Sequence, residues 1–266
     1  MYKRIDMRNL VVLCSLIVSS YAYAQVADVV SEMITDRPDA TESPNTVSKG
    51  NVQIETGGFY ESFEENDFKT EVYGYNTTLV RYGLLSNLEL RLGWNFEEIQ
   101  FSVGGEKFDP VLSGFSPLLA GVKVEVAKAN GWMPEIGLLG HLYLPISAST
   151  DYRPETTGVD FRFSFAHTLS EKSSFAYNIG AQWMDDSPEA AYVYTFVYGL
   201  SVSETIGVYA ELYGDLPEDS RANHFWDAGI TYLLQQNIQL DATIGQSITS
   251  GQDILVSAGV SFRLPK

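Results

Sequence analysis

Asn87-Leu88-Glu89-Leu90-Arg91-Leu92-Gly93-Trp94-Asn95-Phe96 alternates without a break. Leu88, Leu90, Leu92, Trp94 and Phe96 fall on one parity, and Asn87, Glu89, Arg91, Gly93 and Asn95 on the other. In an extended chain successive side chains point to opposite faces, so this stretch is a strand with one apolar and one charged face. Outward from it, the same pattern recurs. Leu118, Ala120, Val122, Val124 and Val126 oppose Gly121, Lys123 and Glu125. Ile136, Leu138 and Leu142 oppose Glu135, Gly137 and His141. Phe161, Phe163 and Phe165 oppose Asp160, Arg162 and Ser164. Strands of the same kind are expected over 174–183, 206–213, 227–234, 238–244 and 256–264. Three fainter ones fall at 51–62, 68–82 and 191–203. In 68–82, Arg81 sits on the parity of Tyr75 and Leu79, which spoils the alternation.

Twelve strands of this type predict an all-β fold, a transmembrane antiparallel up-and-down barrel occupying 51–266, with lipid on its apolar face. The connections support it. Long acidic links are expected at 63–67, 98–114, 146–157, 185–189, 215–223 and 248–253. Short ones are expected at 83–86, 128–131, 169–172, 204–205 and 235–237. Long loops on one rim and tight turns on the other are characteristic of outer-membrane barrels. Trp94, Trp132, Trp183 and Trp226 fall near predicted strand ends, where membrane barrels carry aromatic girdles. The rival is an exported β-sandwich, which needs neither twelve strands nor two classes of connection.

Residues 1–24 read as a signal peptide. Lys3, Arg4 and Arg8 precede a short apolar run, and Ala22-Tyr23-Ala24 offers a cleavage site before Gln25. Loss of Lys3, Arg4, Arg8 and Asp6 leaves 14 basic and 33 acidic residues, a net charge of −19. That charge argues against nucleic acid as a partner. Cys14, the single cysteine, goes with the leader, so thiolate chemistry and disulfides are not expected. The expected location is the outer membrane, and the expected partners are its lipid, the barrel assembly machinery and a small-molecule substrate.

Residues 25–50 are polar and acidic and carry no sustained period. They form a segment that is either periplasmic or inserted in the lumen, and its plug candidates are Asp36, Arg37, Asp39 and Glu42. In the lumen Arg37 is expected to fork onto Glu55 or Glu211, with its acidic neighbours meeting Arg91 or Arg162. The inward parity supplies the lumen candidates Glu55, Glu89, Arg91, Lys123, Glu125, Glu135, His141, Asp160, Arg162, Glu211, Asp227 and Asp241, and also Arg263. Arg91 with Glu55, and Lys123 with Glu135, are candidate cross-strand pairs.

Two stretches resemble a known family. Ile34-Thr35-Asp36-Arg37-Pro38-Asp39-Ala40-Thr41-Glu42-Ser43-Pro44 is followed by Gly50-Asn51-Val52-Gln53-Ile54-Glu55-Thr56-Gly57, and Leu79-Val80-Arg81-Tyr82-Gly83-Leu84 by Leu88-Glu89-Leu90-Arg91. Gly121-Val122-Lys123 and Leu240-Asp241 are shorter matches. Together they resemble the transporter-like outer-membrane proteins grouped as the putative MetA-pathway of phenol degradation family. The resemblance implies an outer-membrane barrel that transports small, often aromatic or apolar, compounds. It carries over no catalytic residue.

A passive channel is therefore the leading expectation. A closed structural or adhesive barrel acting through its loops is the alternative, and a barrel hydrolase a remoter one. No enzyme, cofactor or metal site is expected. His141 faces inward toward Glu125 or Glu135 without a nucleophile at fixed spacing. The acidic loops lack the spacing of a defined calcium loop.

Overall fold

The computed structural model describes residues 33–184, 186–249 and 251–265. The predicted leader and the first residues of the mature chain lie outside them.

The chain folds into a closed antiparallel barrel. Its strands are β1 (Val52–Glu65), β2 (Phe68–Leu85), β3 (Leu88–Val103), β4 (Glu106–Phe115), β5 (Leu118–Ala127), β6 (Glu135–Leu144), β7 (Gly158–Ser170), β8 (Ser173–Trp183), β9 (Ala191–Ser201), β10 (Ile206–Pro217), β11 (Asn223–Gln235), β12 (Ile238–Ser247) and β13 (Gln252–Leu264). Successive strands pair in turn except β4 with β5, and β13 returns to β1. β4 and β5 pair with successive parts of the same edge of β3, so thirteen strands fill twelve positions.

The barrel is inside-out relative to a soluble protein. Glu55, Arg81, Glu89, Lys123 and Asn178 are fully buried, whereas Leu90, Leu92, Phe163, Ile179 and Leu212 are exposed. Charged residues are almost never fully buried in water-soluble folds unless paired. A sheet whose apolar face looks outward and whose charges look inward needs lipid outside it. The sandwich reading fails on this point.

Two of the expected long links, 63–67 and 98–114, are mostly strand. At 63–67 there is a two-residue turn, with Asn66 and Asp67 both at positive φ (51° and 63°). That geometry matches the right-handed twist of a tight hairpin. At 98–114, β3 runs on to Val103 and returns through Gly104-Gly105 as β4. Aromatic contacts hold both extensions: Tyr60 lies 5.1 Å from Tyr73, and Phe68 lies 6.0 Å from Phe101 and 6.1 Å from Phe108. Trp94 consequently sits within a long strand and not at a strand end.

The faint alternation of β2 also has a cause. Its register slips between Gly74 and Asn76. One extra residue reverses the parity of everything beyond it. Tyr73 and Tyr75 stack on the outside, while Arg81 is buried inside with 1% of its surface exposed.

Candidate functional site

The site is the lumen and the segment that lies in it. Before Val52, residues 34–47 run among inward-facing side chains on all sides of the barrel. They form no ladder with the wall. Pro38 and Pro44 have no N–H to give one, and the segment's amides bond wall side chains instead.

Asp36 is the most heavily engaged residue. Its carboxylate accepts from Arg91 Nη1 at 2.7 Å and from Lys123 Nζ at 2.7 and 2.8 Å, and lies 3.1 Å from Arg81 Nη1. Arg81 also donates to Glu89 at 2.8 and 3.0 Å and to Glu55 at 2.7 Å. Arg91 Nη2 forks onto both oxygens of Glu42 at 2.9 Å. Three cations and four carboxylates thus form one network spanning β1, β2, β3, β5 and the segment. Charge-assisted bonds of this kind are the strong ones, and each group buried here needs its partners.

The expected pairings are redistributed. Arg91 meets Asp36, Glu42 and Glu89 instead of Glu55, and Lys123 meets Asp36 instead of Glu135. Glu135 accepts from the Asn45 side chain at 3.1 Å, and Glu125 faces Lys128 at 3.7 Å. Arg37 forks onto Asp241, not onto Glu55 or Glu211, with Nη2 at 2.9 Å and Nε at 3.4 Å. Its backbone N–H, like that of Asp36, donates to Glu55 at 3.0 Å. Room for the guanidinium comes from Gly57 and Gly259, paired directly across β1 and β13. A Cβ on either would lie within 2.7 Å of the Arg37 guanidinium.

On the opposite wall the segment is held by neutral and anionic groups. Ala40 N–H donates to Glu211 at 2.7 Å, and the Thr41 hydroxyl donates to the other Glu211 oxygen. Glu42 N–H donates to Asn178 at 2.7 Å, and Asn178 and Ser164 donate back to the Glu42 carbonyl. Val47 N–H closes the circuit on Glu89 at 2.8 Å.

His141 bonds Asp160 at 2.7 Å, across β6 and β7, not Glu125 or Glu135. Tyr143 donates to the other Asp160 oxygen at 3.2 Å, and Arg162 lies 3.8 Å away. His141 Nε2 has no hydrogen-bond partner among the described residues, so no hydroxyl nucleophile stands on it. Asp227 faces Glu211 across β10 and β11.

Sequence reasoning passed over Arg81, Asn178, Thr195 and Gln53. Arg81 left a signal, a charge on an apparently apolar parity. The other three are neutral residues on the inward parity, indistinguishable by sequence from lumen-lining residues without a partner.

Between the segment and the loops lies a cavity of about 670 Å³. Arg37 and Glu42 of the segment line it, with Arg91, Leu79, Leu119 and Tyr143 of the wall and Tyr152 and Met184 of the loops. Loop 145–157 also covers the free edge of β4. Ser113 N–H donates to Asp151, and Phe115 N–H to the Ser149 hydroxyl. Asp186 straps the far end of that loop by accepting Glu155 N–H at 2.9 Å and Thr156 N–H at 2.7 Å. Those bonds, the Glu155 backbone first, hold the exposed Asp186 carboxyl below its usual range.

An inverted twelve-position barrel with a buried ionic lumen defines an outer-membrane β-barrel protein, located in the outer membrane. The chain belongs to the family described as "Putative MetA-pathway of phenol degradation", whose model matches residues 35–264. Among solved structures it is similar to the COG4313 outer membrane channel from Pseudomonas putida F1, at 13% identity and a TM-score of 0.63, covering 87% of this chain and all of that one. It is also similar to the beta domain of the Bordetella autotransporter BrkA (10% identity, TM-score 0.53, 81% and 99% covered) and to the NanC porin (9%, 0.50, 79% and 98%). At such identities the likeness is one of fold. Comparison with the curated proteins finds no match.

Proposed function

We propose that the protein is a passive channel for small molecules of aromatic or apolar character, with residues 34–47 acting as a plug. One observation carries this reading. The segment is fastened to the wall by side-chain polar bonds, with no strand pairing to the wall. Water or ligand polar groups can take the place of such side-chain bonds without breaking any strand ladder of the barrel. The cavity beyond supports the substrate class: Leu79, Leu119, Tyr143, Tyr152 and Met184 offer apolar surface for a small molecule, and charged groups such as Arg37, Glu42 and Arg91 can orient it. The family's description points the same way.

Deleting residues 25–44 tests the plug. The shortened protein should assemble as a heat-modifiable barrel and show higher single-channel conductance in planar bilayers. Unchanged conductance in an assembled barrel would sink the reading and favour a closed barrel acting through its loops.

A further inference from the structure

The two walls of the lumen are charged differently. On the β1, β2, β3 and β5 side, Asp36, Glu42, Glu55 and Glu89 are matched by Arg81, Arg91 and Lys123. Among the described residues, no Lys, Arg or His nitrogen lies within 4 Å of Glu211 or Asp227 on the other side, or of Asp39 on the segment. Glu211 and Asp227 are opposite each other in the β10–β11 register and within hydrogen-bond reach. Both are 3% exposed, and Asp227 Oδ1 is buried with no hydrogen-bond partner among the described residues. Asp39, on the segment, lies in the field of both.

Two carboxylates cannot hydrogen-bond to each other while both are ionised. Burying them together without a cation is costly, and sharing a proton removes the cost. Glu211 already accepts Ala40 N–H and the Thr41 hydroxyl, so its oxygens are committed as acceptors. The proton therefore belongs on Asp227.

We propose that Asp227 and Glu211 form a proton-binding site that fastens the plug, and that loss of this proton unseats residues 39–41. Resting on the plug reading above, this adds the group that controls it. With the proton bound, Asp227 donates to Glu211 and the pair carries one charge. Without it, two adjacent buried anions stand without a cation at the carboxylate that holds Ala40 and Thr41, and the segment must give way for water to reach them. The other titratable groups nearby are Tyr209 and Tyr213 on β10, Arg162 on β7 and Glu61 on β1. Of these, Arg162 is the one cation.

Full-length protein in planar bilayers should open more often as the pH is raised from about 5 to about 9, by at most about tenfold per pH unit for one proton. Asp227→Asn keeps the donor and cannot ionise, so it should stay closed across that range. Asp39→Asn, which removes the segment's own carboxyl from the cluster, should flatten the response as well. An infrared carboxylic-acid band of the intact protein at neutral pH should lose intensity in Asp227→Asn. If the deletion of 25–44 opens the barrel but Asp227→Asn keeps the full pH response, the proton site is wrong and the plug stands. If the deletion changes nothing, the plug itself is wrong. Opening that follows added EDTA instead of pH would assign the carboxylates to a metal cation and overturn the proposal.

Discussion

The Arg37 guanidinium sits in a slot left by Gly57 and Gly259 and forks onto Asp241, 204 positions further along the chain. Asp241 has no exposed side-chain surface, so this contact neutralises a buried anion as well as anchoring the segment.

Filling the slot should expel Arg37. In Gly259→Val, the new Cβ would lie 2.5 Å from Arg37 Nε, and the branched side chain suits a strand. The guanidinium can swing away, so the barrel should still assemble. A spin label at position 39 should become mobile and conductance should rise. A label as immobile as in the unaltered protein would show that the slot does not seat the segment.

Arg81 should be the least replaceable residue in the lumen. Arg81→Met leaves Glu55 and Glu89 buried without their main cation, a change of the kind that costs about 3–5 kcal/mol. Heat-modifiability and resistance to urea should both fall. Lys cannot reproduce the two-pronged contact with Glu89, so Arg81→Lys should recover only part of the loss. Full stability in Arg81→Met would mean that Lys123 and Arg91 take over its role.

The register of β3 can be checked directly. Leu90 faces outward, 40% exposed, and Glu89 inward with none of its surface exposed. Leu90→Arg places a charge in lipid at a cost of roughly 2–4 kcal/mol, whereas Glu89→Gln keeps a hydrogen-bonding group of the same size. Assembly, followed by the heat-modified band on gels, should suffer more in the first. Equal tolerance would count against the register.

Loop 145–157 should be released by acid. Backbone donation from Glu155 and Thr156 lowers the Asp186 pKa in the folded state. A depressed carboxyl contributes stability that is present above its unfolded pKa, near 3.9 for an aspartate, and is lost as the pH falls through the folded value. Amide exchange at Glu155 and Thr156 should therefore accelerate only at strongly acid pH. Asp186→Ala should show the same fast exchange at neutral pH. Slow exchange in that variant would show that the contacts to β4 hold the loop alone.

How much of this was legible depends on how far each interaction reaches along the chain. Alternation in 87–96 and its counterparts is local, because side-chain period 2 is a property of a single strand. It separated Glu89, Arg91, Lys123 and Asp241 from Leu90, Leu92, Val122 and Leu240 and implied twelve strands. The break in composition at Gly50 set apart the segment carrying Asp36 and Arg37. Loop lengths at 63–67 and 98–114 are not legible in the same way, because acidic residues and glycines occur in hairpin extensions as readily as in loops.

Partner choice could not be read in this way. A long side chain inside a barrel can reach several strands, and which ones it reaches depends on closure, stagger and the path of the segment. The slip at Gly74/Asn76 turned Arg81 inward and made it the centre of the network. Only with the barrel closed do Arg37 and Asp241, or Glu211 and the Ala40 amide, come together. In the strands that alternate without a break, the sequence alone determined which residues face lipid and which face the lumen, because alternation is set by the backbone of one strand. The tertiary structure decided which charges meet, because pairing across the lumen depends on distances that no single strand contains.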